Sequence, residues 1–356
     1  MSIETKDITV EKVKTSKIDQ VDFDNLTFGS VFTDHMLVCT YKNGAWEMPK
    51  IVPYQPIVLD PSSKIFHYGQ SIFEGMKAYK DKNDDVFLFR PLENFKRFNI
   101  SADRMCIPQI PQEYFMDGLT TLLNIDKDFI PTKDGSSLYI RPFMFASGNG
   151  FHASPANEYK FIIACAPSGA YFSGKVKVLI EERYSRSANG GVGYAKTGGN
   201  YAGQFYPTQL AVEKGYNQVI WTDDTNHEFI EEAGAMNIFI RINDTLLTGP
   251  TSDRILDGIT RKSILDIAKD QGIKTEVRKI TVKEVVEAAK DGSLKEMFGT
   301  GTAAVISPIS GFGYRDTDYE LPELENSYGQ SLKKIITDIQ YNKSEDKFGW
   351  RFKVDK

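Results

Sequence analysis

The chain changes character between residues 185 and 203, where it reads Ser185-Arg186-Ser187-Ala188-Asn189-Gly190-Gly191-Val192-Gly193-Tyr194-Ala195-Lys196-Thr197-Gly198-Gly199-Asn200-Tyr201-Ala202-Gly203. Small residues dominate this stretch, and such a run is typical of a connection between structured regions. It predicts two domains, in agreement with a length of 356 residues at about 150 residues per domain. We expect a polar N-terminal segment at 1–24, a smaller domain at 25–184, a linker at 185–195 and a larger domain at 196–356.

Strands and helices are mixed on both sides of this stretch, which predicts an α/β or α+β fold. β-Branched and apolar runs predict strands at 30–41, 86–89, 137–145, 159–166, 175–181, 218–221, 236–242 and 245–247. Pro91 is expected to open a helix whose apolar face is Leu92, Phe95, Phe98, Ala102 and Met105. Further helices are predicted at 260–271, 282–289 and 330–340.

Composition excludes several classes of function. The 43 Lys+Arg against 48 Asp+Glu give a net charge of -5, which argues against a nucleic-acid partner or an anionic membrane. Apolar runs such as 161–166 are too short to span a bilayer. The N-terminal residues resemble neither a signal peptide nor a transit peptide, so a cytoplasmic protein is expected.

Cysteines and histidines show no metal-binding pattern. Cys39, Cys106 and Cys165 are widely spaced without a CxxC, and the four histidines are scattered without an HExxH. We therefore expect a reducing compartment and no metal.

Lys196 is the first candidate for chemistry. Its neighbours are small, so a planar cofactor could approach its amine and form a Schiff base. The alternative is a solvated loop lysine, since glycine-rich loops often contain one.

Two further segments could hold a phosphate. Gly258, Ile259 and Thr260 lead into a helix, whose first N–H groups attract anions, although Thr260 could instead be only a cap. The segment 299–304, Gly-Thr-Gly-Thr-Ala-Ala, fits the dinucleotide fingerprint G-x-G-x-x-A. The following Val305-Ile306-Ser307-Pro308 opposes the helix that this fingerprint needs, so a small-residue phosphate loop is favoured.

Charged residues near apolar segments supply the remaining candidates. Glu232 precedes an apolar strand and could keep a pyridine ring protonated; the alternative is a solvated acidic turn. Arg97 lies beside the apolar face of its helix, where it is expected to reach inward; the alternative is an exposed arginine. Arg141 lies in an apolar strand, where it needs a partner. Aromatic candidates for a pocket are Tyr68, Phe73, Tyr139 and Tyr171.

Together these segments resemble the branched-chain amino acid aminotransferases, which are pyridoxal-phosphate enzymes of fold type IV. The resemblance runs from about Thr27 to about Phe352 and is closer to the branch with the animal enzymes. It is carried by the motifs 28–36, Phe73-Glu74-Gly75-Met76-Lys77-Ala78-Tyr79, 193–201, 232–237 and 299–304.

The resemblance implies a role for each matching residue. Lys196 is expected to bind pyridoxal 5'-phosphate covalently and to move the proton, with the cofactor between two α/β domains, the larger of which binds it. The other cofactor contacts are expected from Tyr201 (phenolic oxygen), Glu232 (pyridine nitrogen), and Arg97, Ile259, Thr260 and Thr302 (phosphate). The substrate site is expected to comprise Tyr68, Phe73, Tyr139, Arg141, Tyr171, Thr302 and Ala303, with Tyr68 supplied by the partner subunit of a homodimer.

Two positions depart from the animal enzymes. Ala235 replaces a threonine beside the cofactor. Ala304 and Ser307 replace a CxxC redox pair, so no thiol switch is expected.

The expected activity is transfer of the amino group of leucine, isoleucine or valine to 2-oxoglutarate. Alternatives of the same fold are a D-amino-acid aminotransferase and an aminodeoxychorismate lyase. Alternatives of other classes are an NAD-dependent dehydrogenase using the Gly299 loop and a non-catalytic amino-acid sensor.

Overall fold

The computed structural model describes residues 8–170, 174 and 176–355. The chain forms two compact units, the first comprising Met1–Tyr171 and Gln340–Lys356 and the second Phe172–Ile339. Both units combine helices with a sheet, so the predicted α/β class is confirmed. Within the described residues, no helix is long and apolar enough to cross a bilayer.

The first unit is built on a mainly antiparallel sheet, in the order β1-β4-β2-β9-β8-β6-β7-β19, with β3 paired to β2 and β5 to β8. Its strands are β1 (Thr9–Val10), β2 (His35–Lys42), β3 (Ala45–Trp46), β4 (Lys50–Pro53), β5 (Ser71–Phe73), β6 (Met76–Lys80), β7 (Val86–Phe89), β8 (Ser137–Ala146), β9 (Tyr159–Ser168) and β19 (Arg351–Lys353).

Three helices belong to this sheet: α1 (Lys64–Tyr68), α2 (Pro91–Arg104) and α3 (Gln112–Ile125). Pro91 opens α2 as predicted, because its missing N–H has no partner at a helix start. Phe98 and Ala102 of α2 pack into the main core together with Phe115 of α3. Leu92 was expected on that face but is 40% exposed. Helix α3 is not among the helices predicted from the sequence.

The C-terminal strand completes the first sheet. Strand β19 pairs antiparallel with β7, and Arg351 lies opposite Phe89. The Arg90 N–H donates to the carbonyl of Trp350, and Val354 is buried in the main core of the first unit. The chain thus returns to its first unit after the whole second unit has been made.

The second unit has a sheet in the order β12-β11-β10-β17-β16-β13-β14-β15, with β18 paired to β17. Its strands are β10 (Val176–Ile180), β11 (Gln218–Thr222), β12 (Ile230–Ala233), β13 (Met236–Ile242), β14 (Thr245–Thr248), β15 (Thr275–Val277), β16 (Leu294–Gly301), β17 (Val305–Tyr314) and β18 (Thr317–Glu320). An additional pairing between β12 and β13 closes the strands from β12 to β13 into a ring. This closure brings the ends of β12, β13 and β16 together.

The helices of the second unit are α4 (Gly199–Ala202), α5 (Phe205–Glu213), α6 (Ile259–Asp270), α7 (Val282–Asp291) and α8 (Tyr328–Gln340). The three predicted helices of this half correspond to α6, α7 and α8. Helix α7 ends at Gly292, where φ is +79°, a left-handed conformation that glycine adopts without strain.

The division of the chain differs from the predicted one. The structure divides the chain near residue 171 rather than 184, so β10 belongs to the second unit, and residues 340–356 belong to the first. The glycine-rich stretch is an internal part of the second unit. Its Asn200 side chain donates to the carbonyls of Val192 (2.8 Å) and Ala195 (2.9 Å), which fixes the loop. The local shift in composition therefore marks a hydrogen-bonded loop within the second unit, not a linker between domains.

Candidate active site

Lys196 lies at the end of the fixed loop, just before α4. Its Nζ donates a hydrogen bond of 2.7 Å to the hydroxyl of Tyr201 and lies 5.3 Å from the centre of that ring. The side chain is only partly buried, so its amine is both oriented and accessible. A freely solvated loop lysine is thereby excluded. The predicted pair of Lys196 and Tyr201 is brought together.

Glu232 is buried on β12, between β11 and β13, with 3% exposure. Its Oε2 forms an ion pair of 2.9 Å with Nε of Arg186, and its Oε1 accepts the N–H of Leu256 at 2.9 Å. Burial raises the pKa of Glu232, while Arg186, the Leu256 N–H and the charge of Lys196 oppose that rise. The alternative of a solvated acidic turn is wrong. The structure instead holds a desolvated carboxylate in a fixed orientation, within the electrostatic reach of Lys196.

The start of α6 is tied to this carboxylate through Asn237. Its Nδ2 donates to Glu232 Oε1 (3.2 Å) and to the Leu256 carbonyl (2.8 Å). Gly258 is the N-cap, and a Cβ there would lie 1.9 Å from Asn237 Oδ1, so only glycine allows the helix to begin this close. Thr260 lies inside the first turn and is not the cap. The first N–H groups of α6 therefore face a site without a capping side chain, as an anion site requires.

The hairpin between β16 and β17 supplies the neighbouring loop. Thr300 pairs with Asn237, and Asn237 pairs with Glu232, so residues 302–304 lie at the same end of the sheet. Thr300 Oγ1 is buried without a hydrogen-bond partner among the described residues. Because a strand follows this loop and not a helix, the dinucleotide fingerprint and the NAD-dependent alternative are wrong.

Val305 closes that loop in a strained conformation. Its φ is +60°, and the Ile306 N–H donates to the Ala304 carbonyl at 2.7 Å, which makes a tight three-residue turn. A β-branched residue with positive φ costs about 1–3 kcal/mol and is found mainly at functional sites. The position of Thr302 and Ala303 is thus fixed by a turn that the surrounding structure must hold.

The first unit brings together three of the predicted substrate residues. Arg141 and Tyr139 lie on the same face of β8, and Arg141 Nη2 donates to the Tyr139 hydroxyl at 2.9 Å. The Arg141 guanidinium lies 4.7 Å from the ring centre of Phe73. Its Nε is buried and has no hydrogen-bond partner in the part of the chain that the structure describes. A Cβ at Gly75 would lie 2.3 Å from the Tyr139 hydroxyl, so glycine permits this packing.

Arg97 is buried on α2, as predicted, and the alternative of an exposed arginine is wrong. Its Nε and Nη2 donate to the two carboxylate oxygens of Glu74 at 2.7 and 2.9 Å. Asn94 Nδ2 also donates to Glu74, at 2.8 Å. Glu74 has 0% exposure, and its buried carboxylate is paired with Arg97 of the same unit. The role of Arg97 at a phosphate stays a prediction.

The structure describes one of the two remaining predicted substrate residues. Tyr68 is 41% exposed, and its hydroxyl donates to the carbonyl of Phe151. Tyr171 lies outside the described residues.

The site also contains three residues that were not predicted from the sequence: Glu74, Arg186 and Asn237. Glu74 and Asn237 stand inside motifs that carry the family resemblance, so the motifs point to these positions, but the sequence does not predict their contacts. Arg186 had a weaker signal, an arginine within a stretch of small residues.

Comparison with known proteins agrees with this geometry. A family model described as class IV amino-transferase matches residues 71–312. The chain is 44% identical over 354 residues to branched-chain-amino-acid aminotransferase 2 of Bacillus subtilis (strain 168), covering 98% of this chain and 97% of that protein. It is 38% identical to the branched-chain-amino-acid aminotransferase of Mycolicibacterium smegmatis, covering 93% of each.

Solved structures show the same fold. The Escherichia coli branched-chain amino acid aminotransferase has a TM-score of 0.75 at 24% identity and covers 90% of this chain and 99% of its own. The branched-chain amino acid aminotransferase of Thermobaculum terrenum, solved in its PLP-form, has a TM-score of 0.73 at 17% identity, with coverage of 91% and 99%.

Proposed function

The chain belongs to the class IV aminotransferases, and from this premise we propose that it transfers the amino group of leucine, isoleucine and valine to 2-oxoglutarate. The named activity of relatives that are similar over nearly the whole chain supports this substrate class. The observation that carries the proposal is the convergence of Lys196, Glu232 and the start of α6 in one unit. Each group is suited to a different part of one cofactor, pyridoxal 5'-phosphate.

The residues present fit that cofactor. We assign Lys196 to its aldehyde carbon, Tyr201 to its phenolic oxygen, Glu232 to its ring nitrogen, and Ile259, Thr260 and Thr302 to its phosphate. The donor set is chemically matched, because an amine, a buried carboxylate and a helix N-terminus are what these groups need. When bound, the cofactor carries the amino group and withdraws electrons from the substrate.

The protein contributes proton transfer and electrostatics. Lys196 Nζ, oriented by Tyr201, takes the proton from the substrate Cα as general base and returns it as general acid. Glu232 is assigned to keep the ring nitrogen protonated, and the ion pair with Arg186 opposes the rise in the pKa of Glu232 that burial causes. Arg186 is thus a positioning residue, since it acts through Glu232.

The substrate must bind in two chemically different forms. Phe73 and Tyr139, together with Tyr171 and Tyr68, are proposed to cover an apolar side chain, and Ala303 with Thr302 to hold the α-carboxylate. Arg141 is proposed to bind the distal carboxylate of glutamate, which is costly to bury unpaired. Its buried Nε, unpartnered among the described residues, and its aromatic neighbours support this dual role.

We also propose a homodimer in the cytoplasm. Val58 (91% exposed) and Phe66 (61%) lie near Tyr68 in sequence, and Phe151 (71%), whose carbonyl accepts the Tyr68 hydroxyl, is exposed as well. Apolar side chains exposed in this number mark an interaction surface, and Tyr68 is then the residue that the partner subunit would receive.

The test is the replacement Lys196→Ala. We expect loss of the visible absorbance that borohydride bleaches and loss of turnover with leucine and 2-oxoglutarate. The matched control is Lys214→Ala, an exposed lysine after α5, which should leave both unchanged. Normal turnover by the Lys196→Ala protein would refute the assignment. A panel of amino donors, each with 2-oxoglutarate, checks the substrate class separately.

A further inference from the structure

A cavity lies in the second unit between the β16–β17 hairpin and α8. Its volume is about 530 Å³, within the range of small-molecule sites. The wall is largely apolar and is formed by two strands and the segment after β18. Its apolar lining includes Met297, Phe298, Ile306, Pro308, Leu321 and Leu324.

Two lysines line this cavity. Lys295 Nζ donates to the Gly292 carbonyl at 2.8 Å. Lys333 is the second. It projects from α8, is only partly exposed, and its Nζ donates one hydrogen bond of 3.0 Å to the carbonyl of Ile306. An ammonium group has three donors, so this one bond leaves it with capacity for more. Burial lowers the pKa of Lys333, and no carboxylate of the described residues acts in the opposite direction. Within that part of the chain the amine is desolvated without a counter-ion.

Three carboxylates line the cavity, and none of them forms an ion pair with Lys333: Glu296, Glu320 and Glu323. Glu296 accepts the hydroxyl of Ser327 at 2.7 Å and forms an ion pair of 3.2 Å with Arg241. Glu320 forms an ion pair with Lys177. The cavity therefore combines a mainly apolar wall with a positive group that has no ion-pair partner among the described residues.

We propose that this cavity binds a small monocarboxylic acid with a branched or straight aliphatic chain, its carboxylate on Lys333 Nζ and its chain against the hairpin. The apolar wall would bury the aliphatic chain away from water, which favours binding. The carboxylate supplies the missing counter-charge. A zwitterionic amino acid is disfavoured, because its ammonium group would also enter the apolar cavity. The site is distinct from Lys196 and Glu232, and the inference does not depend on the proposed reaction.

The probe is 4-methylpentanoate, titrated calorimetrically into the cofactor-loaded protein. We expect two binding events per chain, one at the active site, which also changes the visible absorbance, and one without an optical change. Lys333→Met should weaken the optically silent event at least about 10-fold, the loss expected for a hydrogen bond to a charged group. Lys334→Met is the matched control, because Lys334 is the next residue, is exposed and pairs with Asp338.

A second variant and a second probe complete the test. Leu324→Trp fills the cavity while retaining Lys333, and should also abolish the silent event. The uncharged 4-methylpentanamide should bind there at least about 10-fold more weakly than the acid. A single event in the unaltered protein, or a silent event that survives in both Lys333→Met and Leu324→Trp, would overturn the proposal. Equal binding of the amide would disprove the role of the charge.

Discussion

Arg141 has the surroundings that the proposed binding of two unlike substrates requires. Its guanidinium stacks against Phe73 and Tyr139, so it contributes a flat surface to an aromatic lining as well as a charge. Arginine is suited to this because its charge is delocalised and weakly hydrated. Under the proposed function, the group stays stacked with an aliphatic substrate and gains a carboxylate with glutamate.

We expect Arg141→Met to separate the two half-reactions. Methionine retains apolar contact but removes the charged donor, so kcat/KM for glutamate and 2-oxoglutarate should fall by about 10- to 150-fold. Single-turnover kinetics with leucine should change much less. An equal loss in both half-reactions would show that Arg141 serves the shared α-carboxylate or the fold.

At the scale of elements, the turn before β12 determines where Glu232 lies. The Asp223 side chain is buried and accepts four backbone N–H groups, the shortest from Phe229 at 2.6 Å and Glu228 at 2.7 Å. Burial raises the pKa of Asp223, but these four donors outweigh burial and lower it below its ordinary value. The turn is therefore stabilised by a charged acceptor.

Asp223→Asn should destabilise the protein in a pH-dependent way. At pH 7 we expect a loss of about 1–3 kcal/mol, because an amide cannot accept from all four donors. An acid with a lowered folded-state pKa stabilises above its unfolded pKa, about 3.9, and that stabilisation is lost as the pH falls through the folded value. Denaturant unfolding at several pH values should show the difference shrinking below about pH 4.

The control for this prediction is Asp244→Asn. Asp244 has a side-chain exposure of 90% and a long ion pair to Arg241, which contributes little. A pH-independent loss in the Asp223→Asn protein would mean that shape, not charge, holds the turn.

Elements with a local signal were predictable, whereas contacts across the sequence were not. Helix α2 has a proline at its start and an apolar stripe, and α7 ends at a glycine, so both followed from short-range patterns. Helix α5 carries Pro207 near its start and buries only Pro207 and Ala211. Two buried positions are too few to predict a helix from the sequence pattern.

The same limit explains the site. Lys196 and Glu232 stand in motifs whose residue types indicate their chemistry. The pairs Arg97–Glu74 and Arg186–Glu232 depend on how strands and helices are brought together, which residue spacing does not encode. Tertiary ion pairs of this kind need the fold before they can be named.

At the scale of the whole molecule, all three thiols belong to the first unit. Cys39 and Cys165 are each 1% exposed, and burial raises the pKa of Cys39 to about 12. Cys106 is exposed. Beside the Val305 turn, Ala304 and Ser307 carry no thiol. Thiol oxidation therefore cannot act directly on the loop that contains Thr302.

We therefore expect activity to be indifferent to thiol oxidation. An alkylating reagent should modify one thiol of the native protein and three after denaturation, as counted by mass spectrometry. Cycles of mild peroxide and reductant should leave kcat unchanged. Reversible loss of activity, absent from a Cys106→Ser protein, would reveal a thiol-dependent control through that surface.

The pairing of β19 with β7 has a consequence for biosynthesis. A ribosome makes most of the first unit first, but the strand that pairs with β7 follows the whole second unit in the chain. Until then the nascent chain presents the bare edge of β7, a template for wrong strand pairing. N-terminal domains generally fold first during synthesis, but the sheet of this unit is complete only after the second unit has been made. A message broken before the codon for Arg351 yields a product whose open edge exposes it to chaperones and proteases.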